Sequence, residues 1–162
     1  MHALTERQLR SCFVNASKGE ITKAPMPDLD TVDWDALDLL GWTDPKAPQR
    51  AYVVIPAGDG PIGLALRTQS RGRPRPAVCD WCQDPKATDG VVLYAARRGG
   101  SRGRDGNTIG AMVHADLSCS RHARRQPTPE ERGRDPELFV ALRIEGLRER
   151  AARFAVRVRD GV

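Results

Sequence analysis

Residues 76–83, "PAVCDWCQ", and residues 112–125, "MVHADLSCSRHARR", decide how this chain folds. The first places Cys79 and Cys82 with two residues between them, and the second places Cys119 between His114 and His122. A Cys-x-x-Cys turn aims two sulfurs at one point. A structural zinc ion takes four ligands of this kind, thiolate sulfur or imidazole nitrogen, in a closed tetrahedron. Cys79, Cys82 and Cys119 therefore read as three ligands of one ion. Spacing leaves the fourth open: His114 stands five residues before Cys119 at a strand end, His122 three after it on a predicted helix, and Cys12 is a remote candidate. Whichever imidazole binds needs an acceptor for its second ring nitrogen.

Between the two motifs, "GVVLYAARR" (90–98) and "NTIGAMVHA" (107–115) have the apolar content of a strand pair, separated by the Arg/Gly loop "GGSRGRDG". Knuckle, hairpin, then ligands at the start of a helix is the order of a treble-clef finger. Zinc affinities in small fingers are about 10–16 kcal/mol, and that binding is coupled to folding. The benefit is large for a chain with 5% aromatic and 29% charged residues, whose core relies on Val, Leu, Ile and Ala.

Upstream, "AYVVIP" (51–56) and "GLALRT" (63–68) form an earlier strand pair joined by the turn "AGDGPI". That turn is no phosphate cradle, because it leads into a strand and lacks Gly-Lys-Ser/Thr. "QSRGRPRPAV" (69–78) has no hydrophobic period and reads as an exposed connector.

Near the start, "LTERQLRSCFVNA" (4–16) predicts an amphipathic helix. Thr5 and Gln8 form its capping box, Leu4 and Leu9 its staple, and Lys18-Gly19 its stop. Cys12 on its apolar face reads as a small buried residue. In "APMPDLDTVDWDALDLLGWTDPKAP" (24–48), Asp33 caps a short predicted helix that buries Leu37 and Leu40, ends at Gly41, and is anchored by Trp34 and Trp42. In the tail, Asp135 and Pro136 open a long helix with Leu138, Leu142, Ile144, Leu147 and Phe154 at helical spacing.

At 162 residues, these elements fit one α+β protein. It has an antiparallel sheet of four strands, a treble-clef zinc finger, N-terminal helices and a long C-terminal helix. Residues 1–45 form an N-terminal helical segment and residues 46–162 the zinc-finger domain with its helix. No apolar run spans a bilayer and the first residues are charged, so a monomer in the cytoplasm with no membrane partner is expected. Residues 1–66 carry 6 Lys/Arg against 9 Asp/Glu, while residues 67–162 carry 20 against 12. The basic half holds the cysteine motif, and such a field suits RNA, ribosomes or an acidic protein face.

"LGWTDPKAPQRAYVVIPAGDGPIGLALR", then "CDWC", then "NTIGAMVHADLSCS" resemble the actinobacterial proteins that carry the elongation-factor-G-binding C-terminal treble-clef zinc finger, the FBP-domain family related to FusB-type fusidic acid resistance proteins. The resemblance covers about residues 38–125. The family's second motif reads Cys-Ala-Asp-Leu-x-Cys-Ser, and here His114 occupies its first position, followed by Ala115, Asp116, Leu117, Cys119 and Ser120. The resemblance thus implies Cys79, Cys82, His114 and Cys119 as the zinc ligands. It also implies a protein that binds elongation factor G and modulates its release from the ribosome without breaking a bond. FusB-type proteins add an N-terminal helical bundle, whereas about 45 residues precede the strands here.

The candidate contact surface is the basic skin near the finger: Arg97, Arg98, Arg102, Arg104, Arg121, Arg124 and Arg125. The same arginines support an alternative, a zinc-stabilised RNA-binding module, although only Trp81 and Tyr94 lie near the motif as stacking aromatics. Catalysis has the least support. The chain lacks the His-x-Glu of zinc deaminases, His-Glu-x-x-His and Gly-x-Ser-x-Gly, and Asp84-Pro85 follows the Cys-x-x-Cys where a redox motif would open a helix.

Overall fold

The computed structural model describes residues 1–68, 76–131 and 135–162, so the connector read at 69–78 lies outside the described residues as far as position 75. Five antiparallel strands form one sheet whose spatial order follows the chain: β1 (Leu40–Asp44), β2 (Ala47–Ala57), β3 (Gly60–Thr68), β4 (Val91–Arg97) and β5 (Thr108–His114). The hairpin between β2 and β3 closes at the Ala57–Gly60 pair, where Gly60 adopts φ +122°, a conformation costly for any side chain.

Side chains alternate across a strand, so each strand feeds two layers. On the inner face, Val53 and Ile55 of β2, Leu64 and Leu66 of β3, Tyr94 and Ala96 of β4, and Ala111 and Val113 of β5 are buried in one core. The long helix α5 (Pro136–Asp160) covers them with Leu147, Ala151, Phe154, Ala155 and Val158. Asp135 caps this helix by accepting from the Glu137 N–H, and Gly161 closes it in the left-handed conformation.

The N-terminal segment covers part of the outer face. α1 (Glu6–Ser11) has the expected Thr5–Gln8 capping box, but it stops at Ser11 because the next residues pair with the sheet. The Gly63 N–H donates to the Cys12 carbonyl at 2.9 Å and the Val14 N–H to the Gly63 carbonyl at 3.0 Å. Gly63 permits this approach, since a Cβ there would meet the Cys12 sulfur at 2.8 Å. The ring of Phe13 then meets Trp42 and Tyr52 edge-on, with centroids 6.3 and 6.0 Å away.

Several readings change. Lys18-Gly19 is not a stop: Ser17 and Glu20 make a second capping box, and Lys18–Lys23 is helix α2. Asp33 does cap, but only a 3-10 turn at Trp34–Ala36, and the expected helix through Gly41 is replaced by β1. Tertiary pairing overrides local pattern here: Trp42 stacks on Tyr52 at 5.5 Å, and Gly41 leaves the space that the Leu117 side chain fills. The sheet therefore has five strands where four were expected, and its first begins at Leu40. The Arg/Gly loop contains a short helix, α3 (Gly100–Arg104), docked on the end of α5 by the Gly99 N–H to the Val158 carbonyl at 2.7 Å.

Leu138 and Leu142 follow the helical spacing yet are 51% and 57% exposed, because the first turns of α5 carry them away from the core. Leu147→Ala should therefore cost about 2–5 kcal/mol in urea unfolding of zinc-loaded protein. Leu142→Ala should stay within about 0.5 kcal/mol.

Candidate metal centre

Two turns bring the sulfur and nitrogen donors together. After Cys79, the chain folds back so that the Gln83 N–H donates to the Cys79 carbonyl at 3.0 Å, and the turn is anchored to β5 by the Asp80 N–H to the Met112 carbonyl at 2.7 Å. Asp80 completes the clasp by accepting from the Met112 N–H at 2.7 Å. The second turn leaves β5 at His114 and enters α4 (Cys119–Ala123). Gln83 and Leu117, one in each turn, are the two non-glycine residues with positive φ among the described residues, at 50° and 56°. Such backbone persists only where the surroundings over-determine it, and here the surroundings are the donor cluster.

The donor atoms of Cys79, Cys82, His114 and Cys119 lie within 4.8 Å of one another, and all four residues are buried. Cys79 and Cys119 sulfurs are 3.6 Å apart, and those of Cys82 and Cys119 each lie 3.7 Å from His114 Nδ1. A tetrahedron with Zn–S of about 2.3 Å and Zn–N of about 2.0 Å has edges of about 3.5–3.8 Å. A disulfide would need about 2.05 Å, so the spacing is that of ligands around one ion. His114 Nε2 lies 2.8 Å from the Ala87 carbonyl, to which it donates in the tautomer that turns the Nδ1 lone pair toward the sulfurs.

The remaining candidates fall outside. His122 stacks on the His114 ring at 4.2 Å, and its Nε2 lies 3.0 Å from the Ser118 hydroxyl. Cys12 sits half-buried in the N-terminal layer, where burial pushes its thiol up to about 11. Within the cluster, contact with Cys119 holds Cys79 far below the usual thiol range, and the same contact pushes Cys119 up. Burial opposes charging of His114, but the neighbouring Cys79 and Cys82 sulfurs and the Ala87 carbonyl raise its pKa to about 10. A divalent cation would reverse this proton sharing by favouring three thiolates and a neutral imidazole. The donor set fits zinc: soft, dry, tetrahedral and complete at four, with no position left for a water.

Two buried carboxylates brace the ligand segments. Asp84, two residues after Cys82, accepts from Arg125 Nε at 2.8 Å and pairs with Arg143 of α5 at 3.0 Å. Burial alone would raise its pKa, yet the Arg125 guanidinium holds it below the usual carboxylate value. Asp38 pairs with Arg124 and with Arg148 of α5 at 2.8 Å, and its backbone N–H donates to the hydroxyl of Ser120, the neighbour of Cys119. A five-residue helix such as α4 cannot persist on its own hydrogen bonds. It is held by the donor cluster and by arginines at its C-terminal end.

These pairs change the reading of the basic skin. Arg124 and Arg125 bind the buried carboxylates; Arg98 and Arg102 reach the carbonyls of Val162 and Gly161. Arg97 contacts Glu20 at 3.3 Å, Arg121 pairs with Asp116 while staying 74% exposed, and Arg104 is exposed. The bracing roles of Asp38 and Asp84 had no signal in spacing.

A knuckle, a hairpin and a short helix that converge on a buried Cys3His cluster define a treble-clef zinc-binding protein. The family described as FBP C-terminal treble-clef zinc-finger matches residues 8–158, and the chain belongs to that family. No curated protein matches the chain. Among solved structures, the fusidic acid resistance protein FusC is similar, with a TM-score of 0.57 and 17% identity over 75% of this chain and 53% of that one. The chain thus spans about half the length of FusC, and the likeness concerns the fold. No helix of the described residues is long and apolar enough to cross a membrane.

His114→Ala should abolish stoichiometric zinc in elemental analysis and lower Tm, as should Cys79→Ser. His122→Ala should keep the metal. His114→Cys, which restores the four-thiolate motif of the resembled family, should retain zinc.

Proposed function

We propose that this protein is a non-catalytic, zinc-stabilised binding protein whose partner is elongation factor G, and that binding modulates release of the factor from the ribosome. The observation that carries this reading is the closed Cys3His cluster, whose four donors complete a tetrahedron and leave zinc a structural task. Family membership and the FusC-like fold supply the direction, since FusC is a fusidic acid resistance protein and the resemblance implies elongation factor G as the partner.

In this reading, Cys79, Cys82, His114 and Cys119 hold the zinc ion. Residues 46–162 carry the finger and its long helix, and residues 1–45 contribute a strand and cover part of the sheet. Arg97, Arg102, Arg104 and Arg121 are the exposed members of the basic skin. To favour departure of the factor, the protein must bind its released conformation more tightly than its ribosome-bound one; equal affinity for both would shift nothing. The RNA alternative draws on the same charge excess, but six of its seven arginines bond or pair within the chain.

Purified zinc-loaded protein should retain elongation factor G in a pull-down and raise the fraction of factor released from stalled ribosomes. Removal of zinc with a chelator should abolish both. Retention of ribosomal RNA with steep loss on added salt, and no retention of the factor, would support the RNA module instead.

A further inference from the structure

The outer face of the sheet is only partly covered by the N-terminal segment. At the edge of that cover, where Arg97 also donates to the Asn15 carbonyl at 3.3 Å, the strand register lines up three arginines. Arg50 on β2 is directly opposite Arg67 on β3, Arg67 is opposite Ala95 on β4, and Arg97 lies two residues further along β4. Like charges directly opposed across an antiparallel ladder destabilise it. Glu20 of α2 relieves two of the three, at 3.3 Å from Arg97 and 4.0 Å from Arg67, while also accepting from the Ser17 N–H at 2.8 Å in its capping box. Arg50 has no carboxylate within 4.0 Å among the described residues. The fold therefore tolerates a repulsive pair on an exposed face where almost any polar residue would be cheaper.

The same face continues into apolar surface. Leu93 on β4 is 52% exposed and paired with Met112 on β5. It leans across Gly110, where a Cβ would meet its Cδ1 at 3.0 Å. Ala65, Ala95 and Gly110 keep the platform low, and a hollow of about 360 Å³ lies against Arg67, Arg97 and Thr108.

Guanidinium forks match carboxylates, and a row of arginines beside an exposed Leu and a half-buried Met has the composition of a protein-binding patch. Single-stranded nucleic acid is held on exposed aromatic rings, and the described residues include none that is exposed. We propose that the open sheet face formed by Arg50, Arg67, Arg97, Leu93 and Met112 receives an acidic protein surface, with carboxylates seated on the arginine row and an apolar side chain on Leu93. This inference rests on the preceding reading, in which the partner is elongation factor G, and places the contact on the sheet rather than around Arg121 of the finger.

Calorimetric titration of zinc-loaded full-length protein with purified elongation factor G tests it. Arg50→Glu should weaken binding at least tenfold while leaving zinc content unchanged and raising Tm or leaving it level, because the new carboxylate answers Arg67. A merely structural role would lower Tm. Leu93→Ser should weaken binding at least fivefold, and Arg121→Glu should change it less than twofold. Binding of the factor that survives both Arg50→Glu and Leu93→Ser, or that is lost with Arg121→Glu alone, would overturn the proposal. So would variants that lose affinity for an RNA oligonucleotide and keep affinity for the factor. Absence of binding by the unaltered chain would overturn the elongation factor reading, and this inference with it.

Discussion

Three thiols and an imidazole are buried within 4.8 Å of one another in a chain with few aromatic residues. Without a cation, these groups compete for protons and leave a polar knot inside the core. With zinc they become a tetrahedral clamp joining the turn after the connector to the turn after β5. Both turns contain a non-glycine residue in left-handed backbone, and α4 is too short to stand alone. The local conformations on either side of the ion are thus consequences of its coordination.

Around that clamp, charge is organised in two ways. Asp38 and Asp84 are buried and each is answered by arginines from α5 and from the residues just after α4. Removing one member of such a pair strands a charge, so these contacts fix the position of α5 relative to the ligand segments more than they add net stability. On the outer sheet face, Arg50 and Arg67 instead oppose each other, Glu20 reaches Arg67 and Arg97, and Arg97 also donates to the Asn15 carbonyl. The inward arginines hold the architecture; the outward ones lie at the surface.

The ligand set shows how far sequence reasoning reaches. Cys-x-x-Cys spacing identifies Cys79 and Cys82 and points to Cys119, but both flanking histidines satisfy the same chain-length limits. What separates them is three-dimensional: the Ala87 carbonyl fixes His114, and His122 is turned to Ser118. The inner strands and the α5 boundaries were legible because periodicity and caps are local signals. β1 was not, since "LGWTD" is paired by contacts with β2 and Leu117 and not by its own pattern. The role of Arg124 and Arg125 was equally hidden: a basic run looks solvated until the carboxylates that bury against it are known. The cross-strand opposition of Arg50 and Arg67 requires the register, which the sequence does not state.

X-ray absorption spectroscopy of the purified protein at the zinc edge tests the central claim most directly. The expected result is one zinc per chain with a first shell of three sulfurs at about 2.3 Å and one nitrogen at about 2.0 Å. A shell containing oxygen, a different sulfur count, or no zinc bound in stoichiometric amount would contradict the account.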